Sequence, residues 1–240
     1  MKRTGMKTAI AIHRGVMYTS AALAMRYGAD LKKALLAGLL HDCAKCIPGH
    51  TKIKMCEKYN LEISEIERKN PSLLHAKLGA YLAKDKYDIE DEEILLAIRS
   101  HTTGRPGMSL LEKIVYIADY MEPGRKELPN MMDVRHLAFE DIDKCLYRIL
   151  RDSLVYLKAQ DMPIDQTTEE TYQYYNELYS LFLQSAQSAV CLYCRYLLYF
   201  QTGGELGDYC HVLYGNEFQA YVASLYGICG NHCGSDVLPR

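Results

Sequence analysis

The chain has 240 residues, 49% apolar and 24% charged, with 7 Pro and 16 Gly, a balance that suits a globular protein and excludes disordered, collagen-like and coiled-coil classes. A net charge of −2 provides no general basic field, so nucleic acid is not expected as a partner. No stretch approaches the roughly 18 apolar residues of a membrane span, and Met1-Lys2-Arg3-Thr4-Gly5-Met6-Lys7 leads into too short an apolar run for a secretion signal, so a cytoplasmic protein without a membrane partner is expected.

Taken in chain order, the apolar residues recur at helical spacing almost throughout the first 180 positions. The spacing predicts helices over 7–27, 31–44 with Asp30 as N-cap, 73–84, 91–100, 110–121, 131–159 and 167–182. Between them stand breakers such as Gly28, Pro48-Gly49, Asn70-Pro71, Gly104-Arg105-Pro106-Gly107, Glu122-Pro123-Gly124 and Met162-Pro163. No period-two run of strand length appears, so the expected fold is all-α, a helical bundle. Near Ser180 the composition changes: the last sixty residues hold no Lys and are dense in Tyr, Leu, Cys and Gly. A functional domain over 1–180 and a Tyr/Cys-rich extension over 181–240 follow. The 9 cysteines read as reduced thiols. In the extension, Cys191, Cys194, Cys210, Cys229, His232 and Cys233 leave open a zinc site, a packed appendage, a dimer contact or sequence that does not fold.

Polar residues interrupt the apolar runs at four places. His41-Asp42 closes Ala34-Leu35-Leu36-Ala37-Gly38-Leu39-Leu40, where a buried carboxylate is costly unless paired, and a divalent metal is one efficient partner. His75 lies in Leu73-Leu74-His75-Ala76 and reads as a hydrogen-bonded core residue or a ligand. His101 opens His101-Thr102-Thr103-Gly104, a turn that serves as a helix cap or as a backbone cradle for phosphate. Asp119, within Ile114-Val115-Tyr116-Ile117-Ala118-Asp119, forms a buried ion pair or ligates metal. Together they are a typical inventory for one or two metals inside a bundle.

The strings Leu39-Leu40-His41-Asp42-Cys43-Ala44-Lys45, His75-Ala76-Lys77-Leu78-Gly79, His101-Thr102-Thr103-Gly104-Arg105-Pro106-Gly107 and Ala118-Asp119-Tyr120-Met121-Glu122-Pro123-Gly124-Arg125 occur in this order. In this the chain resembles the HD-domain superfamily and, within it, the YqeK family of bacterial symmetrical bis(5'-nucleosyl)-tetraphosphatases, over about residues 16–179. The resemblance implies an HD-domain bundle with a metal site in its core, and an iron-dependent hydrolase that cuts diadenosine tetraphosphate into two ADP. It implies His41, Asp42 and Asp119 as ligands of one or two divalent ions, with Asp42 shared. His75 and His101 would complete the second metal position or bind phosphate, Arg125 would contact phosphate, and the turn Met162-Pro163-Ile164-Asp165-Gln166 would lie near the nucleotide. The family's first metal histidine is expected at position 12, where this chain has Ile12; His13 is the candidate one position later, and a one-residue step turns a helical side chain by about 100°.

The chemistry calls for such residues. Cutting a polyanionic tetraphosphate takes cations that neutralise non-bridging oxygens and acidify an attacking water. Lys45, three residues beyond Asp42, either reaches a phosphate or the leaving ADP or is a solvated side chain at a helix end. With Lys45 added on this ground, the resemblance implies Asp42, Lys45, His75 and His101 as catalytic candidates, His75, His101, Arg125, Pro163, Ile164, Asp165 and Gln166 as substrate-binding ones, and His13, His41, Asp42 and Asp119 as metal ligands. An HD phosphohydrolase for another nucleotide, or a catalytically impaired nucleotide-binding relative, stands as the alternative. A hydrophobic face with many Tyr would suit a homodimer.

Overall fold

The computed structural model describes residues 2–126 and 128–181, with side chains from residue 12 onward. The cysteines from Cys191 to Cys233, and the extension apart from Leu181, lie outside the described residues. The elements are α1 (Lys2–Tyr27), α2 (Leu31–Leu40), α3 (Gly49–Lys58), α4 (Glu65–Lys69), α5 (Leu74–Tyr87), α6 (Glu92–Ser100), α7 (Leu110–Met121), α8 (Met131–Glu140) and α9 (Ile142–Ala159). The chain is helical again over 166–181, here called α10, and the described residues contain no strand. The all-α expectation holds. No helix among the described residues is long and apolar enough to cross a membrane.

Helix α7 is the centre of the bundle and packs against α1, α2, α6, α8 and α9. Its sequence explains why: Leu111, Ile114, Val115, Tyr116, Ile117, Ala118 and Met121 are all buried, so the helix is apolar nearly all round and has to be surrounded. Its first turn is fixed by a capping box in which Ser109 and Glu112 each accept from the other's backbone N–H. Helices α1 and α2 cross closely at Gly38, where a Cβ would stand 2.9 Å from the Met17 Cα and 3.1 Å from the Val16 carbonyl. Only glycine permits that approach. Helix α5 packs on α6, and α3 packs on α5 over a smaller cluster of Ala44, Cys56, Leu74, Leu78 and Leu82.

The elements differ from the sequence expectation chiefly in three places. The helix expected over 31–44 keeps regular geometry only to Leu40, and residues 41–46 continue as successive turns. The helix expected over 131–159 is two helices, because Asp141 adopts extended backbone (φ −147, ψ 103) and its carboxylate accepts from the N–H groups of Asp143 and Lys144. Helices α3 and α4 were not expected at all; α3 buries only Lys52 and Cys56, too little to draw an apolar stripe.

Candidate active site

The ends of three helices and one turn of α7 meet at Asp42. His41 and Asp42 follow α2, His75 is in the first turn of α5, His101 caps α6, and Asp119 sits in the last turn of α7. His41, Asp42, His75 and His101 are all buried. The two oxygens of Asp42 divide the site. Oδ2 lies 3.2 Å from His41 Nε2 and 2.5 Å from Lys45 Nζ; Oδ1 lies 3.1 Å from His75 Nε2 and 3.4 Å from His101 Nε2. Asp119 Oδ1 is 3.5 Å from His41 Nε2, and Asp119 Oδ2 accepts from Arg125 Nη2 at 3.1 Å.

The imidazoles share one orientation device. Nδ1 of His41 lies 2.7 Å from the Gly38 carbonyl, that of His75 2.6 Å from the Ser72 carbonyl and that of His101 2.7 Å from the Ile98 carbonyl, each three residues earlier. A carbonyl only accepts, so each Nδ1 carries the proton and each Nε2 is left facing the centre. Nε2 of His75 and Nε2 of His101 stand 3.1 Å apart. As neutral rings they point lone pairs at each other, which is the arrangement of imidazoles fixed for a cation. His41 Nε2, Asp42 Oδ1 and Asp119 Oδ1 are also buried without a hydrogen-bond partner. Ligand atoms of His41, Asp42 and His101 lie within 4.8 Å of one another. This donor set of imidazole nitrogen and carboxylate oxygen fits a divalent transition metal.

The electrostatics agree with a site built for positive charge. Burial alone lowers the His41 imidazole, but the Asp119 and Asp42 carboxylates beside it outweigh burial and bring the group up to about 9. Burial would raise Asp42, yet His101, His41 and His75 hold it far below the usual carboxylate range. Asp119, pushed up by burial and drawn down by His41 and Arg125, comes to about 2. Burial pushes the His101 imidazole down. A proton on His41 thus balances carboxylate charge where a divalent cation would otherwise do so.

His13 lies beside this cluster and outside its tightest part. Its ring centroid is 5.4 Å from that of His41, and its Nδ1 is 3.0 Å from the Leu39 carbonyl. Lys45 forms the ion pair with Asp42 that its three-residue spacing allows. Arg125 sits on the turn after α7, whose Arg125 N–H donates to the Glu122 carbonyl at 3.0 Å, and this folds the guanidinium back onto Asp119.

A cavity of about 440 Å³ opens beside the cluster, lined among others by Lys77, Arg99, Thr102, Thr103, Arg105 and Asp165. Thr102 joins the two: its Oγ1 is 3.1 Å from His101 Nε2 and 3.2 Å from His75 Nε2. Of the turn expected near the nucleotide, Asp165 lines this cavity and caps α10 by accepting from the Thr167 N–H at 2.9 Å. Gln166 instead pairs with Glu170 at an exposed position, Pro163 is exposed, and Ile164 is half-buried outside the cavity wall. Gly104, at φ +67, would place a Cβ 2.7 Å from Thr171 Cγ2, so glycine lets α10 close on the loop after α6. The Tyr175 hydroxyl accepts from the Met108 N–H at 2.8 Å in the same contact.

Glu112 escaped the sequence reading, and Thr102 entered it only as part of the turn after His101. Glu112 is fully buried, and its carboxylate accepts from Arg105 Nε and Nη2, both at 2.6 Å, from Ser100 Oγ at 2.9 Å and from the Ser109 N–H at 2.7 Å. Its spacing from Ser109 advertised a helix cap; nothing in the sequence advertised the anchoring of the whole 100–109 loop.

A helical bundle closing on a buried His-Asp pair defines an HD-domain protein, and residues 10–124 match the HD domain family model. The chain is 41% identical over 160 residues to the symmetrical bis(5'-nucleosyl)-tetraphosphatase of Bacillus subtilis (strain 168), covering 67% of this chain and 85% of that protein. It is 35% identical over 163 residues to the protein of the same name from Staphylococcus aureus (strain NCTC 8325 / PS 47), covering 67% and 83%. The crystal structure of a predicted HD superfamily hydrolase involved in NAD metabolism from Clostridium acetobutylicum superposes with a TM-score of 0.68 at 41% identity, covering 70% of this chain and 89% of that one. The chain belongs to the symmetrical bis(5'-nucleosyl)-tetraphosphatase family of HD-domain proteins.

Proposed function

We propose that this protein hydrolyses diadenosine tetraphosphate at its central anhydride to give two ADP, using divalent metal held by His41, Asp42 and Asp119 on one side of Asp42 and by Asp42, His75 and His101 on the other. The observation that carries the reading is the convergence of three backbone-tethered imidazole Nε2 atoms on the two oxygens of Asp42. The metal supplies charge neutralisation at the phosphate oxygens and acidifies the attacking water.

The remaining work falls to the chain's own side chains. A nucleoside diphosphate half enters the cavity beside Thr102, where Arg99 offers a cation beside the ion pairs Lys77–Glu67 and Arg105–Glu112, and Asp165 offers an acceptor for a sugar or base. The side chain of Lys45, half exposed beside Asp42, reaches the phosphates from the solvent side and gives a proton to the oxygen of the departing ADP. Arg125 binds phosphate through the guanidinium edge that Asp119 does not use. Water adds to one of the two central phosphorus atoms, the bridging P–O bond breaks, and the proton released by the water replaces the one that Lys45 gave to the departing oxygen, so two identical ADP result. Family resemblance supports iron as the metal, the composition change near Ser180 supports residues 1–180 as the catalytic unit, and the cytoplasm is the expected place of work.

The test is anaerobic turnover of diadenosine tetraphosphate with added ferrous iron, with products separated by chromatography, for the chain and for Asp42→Ala. ADP as sole product, lost in the variant, supports the reading. ATP plus AMP as products, or turnover that survives Asp42→Ala, overturns it.

A further inference from the structure

A second cavity of about 650 Å³ lies between α1 and the segment after α7, lined by Arg14, Gly15, Tyr18, Met121, Pro123 and Phe139 among others. Its relation to the metal-ligand cluster follows from contacts already described. Thr102, His101, Asp42, His41 and Asp119 are linked by successive contacts of 3.1, 3.4, 3.2 and 3.5 Å within one compact cluster. The first cavity includes Thr102, which touches His75 and His101. The second is lined by chain neighbours of other members: Arg14 and Gly15 follow His13, whose ring lies against His41, and Met121 and Pro123 follow Asp119. Glu122, between them in sequence, packs its carboxylate against Gly15. The two cavities share no lining residue, whereas a third shares Glu62, Lys77, Leu96 and Arg99 with the first and only prolongs it away from the cluster.

Its chemistry suits a nucleotide. Tyr18 is 58% and Phe139 41% exposed, which leaves aromatic surface for a purine to stack on. Arg14 lines the cavity and is exposed, which places it for phosphate, and Arg125 is paired with Asp119 in the cluster itself.

We propose that this cavity is the subsite for the second nucleoside diphosphate half of the dinucleotide, with Tyr18 and Phe139 as its base platform and Arg14 as its phosphate contact. The proposal rests on the hydrolase reading above and extends it. Cleavage at the central bond puts two like halves on opposite sides of the metal-ligand cluster. A protein with one nucleoside site would recognise only half of such a substrate.

The experiment is calorimetric titration of ADP into the intact protein, counting sites in the wild type, Tyr18→Ala, Phe139→Ala and, as control, Tyr156→Ala, an exposed ring on α9 away from all three cavities. Two ADP per chain are expected in the wild type and in Tyr156→Ala. In Tyr18→Ala and in Phe139→Ala one of the two sites weakens about ten-fold, the size of one lost base–aromatic stack. Both rings are exposed enough for alanine to leave the core in place, which a thermal melt checks. A single site in the wild type, or two sites that neither substitution touches, overturns the proposal. The count requires no turnover, so two ADP sites in a chain that fails to cleave the dinucleotide would retain the subsite and reject the hydrolase reading.

Discussion

Nε2 of His75 faces Nε2 of His101 at 3.1 Å, and neither ring can turn its proton inward because a main-chain carbonyl holds each Nδ1. Both Nε2 atoms thus face the same point, and Oδ1 of Asp42 and Oδ1 of Asp119 nearby are buried without a hydrogen-bond donor. A divalent cation held by these residues would supply the positive charge that this donor set calls for.

Metal should accordingly stabilise the fold. At a free metal concentration about 100 times the dissociation constant the gain is about 2.7 kcal/mol, a rise in Tm of about 5–10 °C for a domain of this size. Differential scanning fluorimetry with ferrous, manganous and zinc ions, each followed by a chelator, reads this directly. A Tm that does not move with any of them would contradict the assignment of the cluster.

Asp42 is the residue on which both halves of the site depend, since one of its oxygens serves His41 and Lys45 and the other His75 and His101. Asp42→Asn keeps the shape but replaces one acceptor oxygen by a donor NH2. We expect metal affinity to fall at least about 100-fold and turnover with it. Metal content after anaerobic loading, measured beside a thermal melt, separates lost binding from lost folding.

The site was more legible in the sequence than the boundaries of the fold. His41, Asp42 and Asp119 betray themselves because each interrupts an apolar run that has to be buried, and His75 and His101 do so once set beside them. The break between α8 and α9 hides because Val134, Ala138, Ile142, Cys145 and Ile149 keep one buried stripe running straight across it; only the capping role of Asp141 reveals the interruption. Helix α3 hides for the opposite reason, since it buries a lysine instead of an apolar side chain. The place of His13 beside His41 depends on how closely α1 and α2 cross, which is tertiary information that no spacing rule carries.

Glu112 should govern the acid limit of stability. Burial pushes its carboxyl up, but Arg105, Ser109 and Ser100 outweigh that and hold it below the usual 4.5. A folded-state value below the unfolded one means that the stabilisation is fully present above about pH 4.5 and is lost as pH falls through the folded-state value. Glu112→Gln should cost about 2 kcal/mol at pH 7 and flatten the fall in stability below pH 4.5. Urea melts of both proteins between pH 3 and 7 would show the two curves converging on the acid side; parallel curves would remove Glu112 from the account.

Gly38 joins the packing of α1 on α2 to the orientation of a metal ligand, because the residue that lets Met17 approach also supplies the carbonyl that holds His41 Nδ1. A methyl group at this position would meet the Met17 Cα at 2.9 Å and the Ser20 Oγ at 2.9 Å. The backbone contact cannot swing aside, so the helices must separate. Gly38→Ala should destabilise the protein by about 1–3 kcal/mol despite the better helix propensity of alanine. It should also weaken metal binding, because the shift moves the carbonyl that fixes the His41 ring. If Gly38→Ala lowers the urea midpoint while leaving metal affinity unchanged, the helix crossing and the ligand are independent; the structure leads us to expect both to fall together.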